Sequence, residues 1–252
     1  MEKKELLKLA RPETRPKLPR KIRFMARIFG SQKVLEYIWD YYERESESRI
    51  PFYLPYIYMK ECMSYLRRYA KIPKKQICMV LIDDGDYKID YFLSEFLEEF
   101  NYLTIITNRK EYFENLQERA FQELGLLIDL VLPWEEKNLQ GNIVWDFTDM
   151  IQKDDCYPKG SICFLPHKKE WKVKDLLESV PNITAVSLKC IEAGGACIAP
   201  AFAESLLVPW GMTFRKSRCE ELKQWCKEKN LKLKLKAERQ KALKNLDILG
   251  VR

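Results

Sequence analysis

Residues 77–87 read ICMVLIDDGDY, and this stretch sets the fold question for the whole chain. An apolar run ends in an aspartate-rich turn that feeds a helix-like segment. Five more apolar runs of strand length follow: 102–107 (YLTIIT), 128–132, 142–147 (NIVWDF), 161–165 (SICFL) and 183–188. Amphipathic stretches separate several of them. Residues 87–100 carry Ile89, Phe92, Leu93, Phe96 and Leu97 on one helical face, and further helices are expected over 111–124 and 173–179. Short apolar strands alternating with helices predict a parallel sheet covered on both faces. At the C-terminal end of the first strand such sheets keep an anion cradle, in which glycine lets the backbone amides approach a phosphate. Here the turn carries Asp83, Asp84 and Asp86 around the single Gly85.

Outside this centre the pattern changes. Residues 1–24 contain Pro12, Pro16 and Pro19 among basic residues, and proline bars a continuous helix after about Ala10, so an extended basic arm or linker is expected. Residues 25–75 form a helical N-terminal region, with one helix from Ser31 to about Glu45 and a second over the aromatic-rich stretch 51–70. Those aromatics could line a groove for ring-bearing ligands, but a packed core between helices is the reading preferred. Residues 76–210 form the α/β domain. The small-residue stretch 192–208 is expected to be a helix packed on the sheet. Residues 211–252 form a basic tail with a helix over 217–229. Its LKLKLK run at 231–236 alternates at period two and reads as an edge strand, a frayed helix or a disordered segment.

The 252 residues carry a net charge of +7, distributed unevenly. Residues 1–75 hold 19 Lys and Arg against 9 Asp and Glu, residues 76–210 hold 12 against 23, and residues 211–252 hold 13 against 5. Basic ends around an acidic middle could grip nucleic acid or an acidic protein, or fold back onto the centre, or simply be solvated. No apolar run approaches the ~20 residues that span a bilayer, and no apolar segment follows the charged start Met1-Glu2-Lys3-Lys4-Glu5, so neither membrane insertion nor secretion is expected. The eight cysteines lie partly inside apolar strands and read as reduced thiols of a cytoplasmic protein.

Residues 76–207 resemble the NADP-binding half of shikimate dehydrogenase. The carriers are the position of Asn108-Arg109 at the end of the second strand, NIVWDFTDM at 142–150 with Thr148 on the family's threonine, SICFLPHKKEWKVKDLLES at 161–179, and AVSLKCIEAGGACIAPAFAE at 185–204. The resemblance implies a Rossmann-type doubly wound α/β fold with a helical N-terminal region and a C-terminal helical extension. It also implies an NADP site at Asp84, Gly85, Asp86, Asn108, Arg109 and Thr148, with Arg109 on the adenosine 2′-phosphate. The chain departs from the family in three places. Its glycine-rich turn is replaced by Asp84-Gly85-Asp86-Tyr87. Residues 1–75 contain no counterpart of the domain bearing the catalytic lysine, and the closing helix has Glu192 or Gly194 near the family's glutamine.

Carboxylates at two cradle positions would repel a pyrophosphate by roughly 1 kcal/mol per unit-charge pair at ~4 Å in water, and by more where burial lowers the dielectric. The expectation is therefore a degenerate, non-catalytic relative of NADP-dependent dehydrogenases that binds a small molecule in its cleft or regulates. An active oxidoreductase with an atypical phosphate loop is one alternative, and a binder of nucleic acid or an acidic partner through the basic ends is another. The acidic turn has two further readings. Asp84 and Asp86 could serve a phosphatase with Thr107 and a Mg²⁺ held by Asp146 and Asp149, or the aspartates could simply stabilise a helix N-terminus. Cys156, Cys163, His167, Cys190 and Cys197 could meet around zinc, although they lack tight Cys-x₂₋₄-Cys spacing.

Overall fold

The computed structural model describes residues 3–23, 31–47, 52–135, 138–149, 156–168, 170–209 and 212–239. The chain divides into two compact units, interleaved in sequence: Met1–Tyr65, Asp90–Glu95 and Leu188–Lys236 in one, Leu66–Ile89, Phe96–Ser187 and Ala237–Arg252 in the other.

The second unit is built on a sheet. Strands β1 (Cys78–Ile82), β2 (Tyr102–Ile106), β3 (Ile128–Val131), β4 (Ile143–Asp146), β5 (Ile162–Phe164) and β6 (Thr184–Ala193) lie in the order β3-β2-β1-β4-β5-β6. Every neighbour along this path pairs in parallel, with Ile82 opposite both Ile106 and Asp146. The order reverses between β1 and β4, which makes this a Rossmann-like doubly wound sheet with its switch point at those strands. Val80, Ile82, Val144, Cys163 and Ala185 pack with Val173, Leu176 and Leu177 of the helix Glu170–Ser179 in one buried cluster. A helix after β1, Lys88–Phe96, whose residues Asp90–Glu95 belong to the first unit, buries Ile89, Phe92, Leu93 and Phe96, as its periodicity predicts. A helix after β2, Lys110–Leu124, ends at Gly125 in the left-handed conformation, where the glycine amide reaches the carbonyls of Ala120 and Phe121.

In the first unit the aromatic stretch is core. It is also broken into two helices, Leu54–Ile57 and Met59–Ala70, rather than one continuous helix over 51–70. Tyr53, Tyr56 and Tyr58 are buried, and Phe214 stacks on Tyr53 with ring centres 5.6 Å apart. The Tyr53 and Tyr58 hydroxyls donate to the carbonyls of Thr213 (2.6 Å) and Leu231 (3.0 Å).

Three further stretches bear on what the sequence predicts. As the prolines predict, no continuous helix runs through the N-terminal segment over its described residues. The segment has a short helix Lys3–Leu7 and a 3₁₀ turn Pro12–Thr14. The Arg11 amide and the Thr14 hydroxyl both donate to Leu206 O at 2.9 Å, so backbone polarity left over by the prolines is satisfied by a tertiary partner. Residues 192–198 are not helical. β6 continues to Ala193, turns through Gly194 and Gly195 with φ of +53° and +82°, and returns as β7 (Ala196–Ile198). Only Pro200–Leu207 is helix, because the glycine pair supplies the left-handed turn that a hairpin needs. Of the three readings of the Leu-Lys run, the strand is the one observed: β8 (Lys232–Arg239) pairs with β6. Residues 240–252 lie outside the described residues. No helix among the described residues is long and apolar enough to cross a membrane.

Burial raises the pKa of Cys62, lifts Cys163 and Cys219 to about 12 and Cys226 to about 11, and raises Tyr42, Tyr53, Tyr58 and Tyr91. An acid whose folded pKa is raised contributes stability below its unfolded value and loses it as pH climbs toward the folded value. Unfolded thiols titrate near ~8.5 and tyrosines near ~10. Buried Lys168, lowered chiefly by desolvation, works in the opposite sense just below its ordinary value, but it is one group against nine once Cys190, raised to about 11, is included. Thermal unfolding is expected to be steady up to about pH 8.5 and to fall progressively above it, steepening beyond about pH 10. A melting temperature unchanged between pH 8 and pH 10.5 would contradict this.

Candidate functional site

The C-terminal ends of β1, β2 and β4 carry most of the residues singled out from the sequence. Gly85 sits at the tip of the turn with φ +84°, a left-handed conformation that glycine adopts without steric cost. The turn's own carboxylates take its amides. Asp83 Oδ1 accepts from Gly85 N at 3.0 Å, Asp84 Oδ1 from Asp86 N at 3.1 Å, and Asp86 Oδ1 from Tyr87 N at 2.7 Å. In a nucleotide cradle such amides point at a phosphate. Here carboxylate oxygens occupy that role from within the chain.

The cations near the turn are engaged as well. Arg109 donates through Nε to Asp83 Oδ2 (2.8 Å), and through Nη2 to Asp83 Oδ1 (3.0 Å) and Asp86 O (2.9 Å). Its guanidinium also lies over the Tyr112 ring, 4.4 Å from the centre. Thr107 donates to Asp83 Oδ2 at 2.8 Å. The carboxylate of Asp83 is only 2% exposed, so this two-point fork is a buried, charge-assisted contact. Lys88, four positions beyond Asp84, forms an ion pair with that residue and lies 3.9 Å from Asp86. Asn108 is exposed at the end of β2.

A second cluster occupies the end of β4. Asp146 and Lys168 are an ion pair at 2.8 Å with both side chains essentially inaccessible. Asp146 Oδ1 also accepts from the amide and hydroxyl of Thr148 (2.9 and 2.7 Å), and Oδ2 accepts from the Tyr157 hydroxyl (2.7 Å). Lys168 Nζ donates to the carbonyl and hydroxyl oxygens of Thr148, both at 2.9 Å. Thr148 is therefore part of a closed polar network. Burial pulls the Lys168 pKa below its ordinary value, while the charge of Asp146 opposes that shift.

Asp146 is turned inward to a lysine and Thr107 to Asp83, which leaves neither in the role that a Mg²⁺-dependent phosphatase would give it. No group of three or more His, Cys, Asp or Glu side chains suited to a metal occurs among the described residues. His167 is buried, and Cys163 lies 3.4 Å from the Ser161 hydroxyl. In the first unit, Glu192 pairs with Lys234 at 2.9 Å. Part of the terminal basic excess is spent there too, since Arg218 contacts Glu13 (3.1 Å) and Glu221 (2.6 Å).

Sequence reasoning missed Lys88, Tyr157 and Lys168. Asp84 lies in the turn and Lys88 opens the helix Lys88–Phe96, so the i, i+4 rule for two residues on one helix does not mark this pair. Nothing local marked Lys168 as the partner of a residue 22 positions earlier.

A half-open hollow of about 710 Å³ lies at the opposite end of the same sheet, beside the N-terminal ends of β4, β5 and β6. Tyr69, Lys71, Asn142, Asn182, Thr184 and Arg239 are among its lining residues, and none of the described residues that line it is acidic. Arg239 is anchored through Nε to the Thr184 hydroxyl at 2.9 Å, with its guanidinium over Tyr69 at 5.5 Å. Neither Arg239 nor Lys71 has an acidic partner among the described residues. Asn142 is structural, bonding Cys78 N and Gln76 O.

No protein-family model matches this chain, and no curated protein does. Among solved structures it is similar to the ligand-free form of 5-ketofructose reductase from a Gluconobacter species, at 10% identity and a TM-score of 0.37, over 64% of this chain and 61% of that one. It is also similar to a chorismate mutase/shikimate 5-dehydrogenase fusion protein from Clostridium acetobutylicum, at 13% identity and a TM-score of 0.36, over 69% and 62% of the two chains. A third is a shikimate 5-dehydrogenase-like protein, at 11% identity and a TM-score of 0.30, over 71% and 62%. The match spans less than two thirds of each of these structures. The fold assignment rests on the strand order of the chain itself.

Proposed function

We propose that this protein is a non-catalytic binding protein on a Rossmann-like sheet, with its coenzyme cradle closed by its own carboxylates and its ligand hollow at the far end of the strands. The carrying observation is the turn 83–87, in which carboxylates cap the amides and neutralise Arg109 and Lys88. A coenzyme phosphate entering there must displace a buried Asp83–Arg109 fork and meet three aspartates, at several kcal/mol for a low-dielectric site. The hollow has the opposite character: Lys71 and Arg239 line it with no acidic partner among the described residues, which favours a small anionic molecule.

The test is equilibrium titration of the protein with NADP and NADPH, followed by coenzyme fluorescence. No saturable binding is expected, and Arg109→Ala should make no difference to that result. Saturable binding that Arg109→Ala abolishes would restore the oxidoreductase reading. Native mass spectrometry of the purified protein addresses the hollow. A retained anion should be lost on replacing Lys71 and Arg239 together by alanine. Retention by that variant would place the ligand elsewhere.

A further inference from the structure

The hairpin of β6 and β7 pairs Glu192 with Cys197 and Ile191 with Ile198. Side chains two apart on a strand share a face, so Cys190, Glu192 and the facing Cys197 all project to one side. Cys190 and Cys197 are thus diagonal neighbours across the hairpin, and their sulfurs are 2.6 Å apart, both as free thiols. The two are not equivalent. Cys190 is buried at 4% exposure, whereas Cys197 is exposed to solvent. Lys234, ion-paired with Glu192 at 2.9 Å, is close enough to both sulfurs for their charge to favour its ammonium form. The remaining cysteines lack this combination: Cys62, Cys156, Cys163, Cys219 and Cys226 are buried, and Cys78 is partly buried within β1.

We propose that Cys190 and Cys197 form a reversible thiol–disulfide modification site that responds to hydroperoxides. The exposed Cys197 thiolate attacks one peroxide oxygen. The O–O bond breaks, an alcohol or water leaves after taking a proton, and Cys197 becomes a sulfenic acid. Cys190 Sγ then attacks Cys197 Sγ, the S–O bond breaks, and water leaves with the Cys190 proton. Two thiols are oxidised by two electrons in total, and one peroxide is reduced. A dithiol reductant reverses the bond by exchange. The buried Cys190 is the resolving partner. Burial and contact with Cys197 push its pKa up to about 11, so the first attack belongs to Cys197.

Both cysteines fall in one tryptic peptide, residues 190–215, because no Lys or Arg lies between Cys190 and Arg215. The full chain is treated with one equivalent of hydrogen peroxide, alkylated, digested without reduction and mapped by mass. The expected product is this peptide lighter by two hydrogens and carrying no alkyl group, with both alkylations regained after dithiothreitol. Cys190→Ser should stop at a sulfenic acid on Cys197 that dimedone traps, and Cys197→Ser should leave Cys190 alkylated and unoxidised. Serine is close in size to cysteine, and circular dichroism of each variant confirms that the fold is retained. Full alkylation of both residues in the treated wild type, or oxidation falling first on Cys78, would overturn the proposal.

Discussion

Lys168→Met is expected to destabilise the sheet unit by about 3–5 kcal/mol, the cost of leaving a buried charge without its partner. Asp146 has no exposure, and among the described residues Lys168 is the cation within ion-pair distance of it. The hydroxyls of Thr148 and Tyr157 would still donate to the carboxylate, but they are neutral and cannot replace an ammonium. The reverse change, Asp146→Leu, strands Lys168 and also frees the donors on Thr148 and Tyr157, so its effect should be at least as large. The double variant should recover part of the loss, because two charges are then removed together. Urea unfolding monitored by tryptophan fluorescence is a suitable probe, since Trp145 lies in β4 next to Asp146. The outcome also separates two roles for this lysine. A lysine kept for chemistry would be dispensable for folding, so a loss below about 1 kcal/mol would argue against the structural role assigned here.

Glu204→Ala should cost a comparable amount, about 3–6 kcal/mol, by a different route. Glu204 is 1% exposed, and its two oxygens accept the amides of Phe52 (2.6 Å), Tyr53 (2.9 Å) and Leu54 (3.0 Å). These are donors that the short helix Leu54–Ile57 cannot satisfy itself. An alanine leaves three donors, two of them buried, without an acceptor, at ~1–3 kcal/mol each. Because whole domains are stable by only ~5–15 kcal/mol, such a loss could unfold the first unit at ambient temperature. Glu204→Gln keeps one acceptor oxygen but turns an amide NH₂ toward a second donor, and should fall between wild type and alanine. The check is the unfolding midpoint together with near-ultraviolet circular dichroism of the packed tyrosines. If Glu204→Ala unfolds within about 1 kcal/mol of wild type, the residue is not the cap described here.

The carboxylate turn is best understood as a substitution of ligand by side chain. A cradle whose amides await a phosphate is unsatisfied until the phosphate arrives. The turn at 83–87 has no such debt, since Asp83, Asp84 and Asp86 each hold an amide and Asp83 also holds Arg109. The same aspartates that argue against a pyrophosphate on electrostatic grounds account for the local conformation. Repulsion and capping are two consequences of the same three carboxylates.

The alternation of strands and helices from β1 to β6 was legible because it depends on local periodicity. Apolar runs of five or six residues have one way to be buried on both faces, and the stripe of Ile89, Phe92, Leu93 and Phe96 has one side to hide. Gly85 could be read in the same way, since only a positive φ explains a lone glycine there. The hairpin at 193–196 was misread because alanines and glycines suit a close-packed helix as well as a tight turn, and composition alone does not choose between them. What only the tertiary structure decided is which charge meets which: Asp83 with Arg109, Asp146 with Lys168, Glu204 with the amides of 52–54, Cys190 with Cys197. Strand order and loop closure bring such partners together from across the chain. Local spacing carries no record of that, because burial in three dimensions, not distance in sequence, determines which charges must be neutralised.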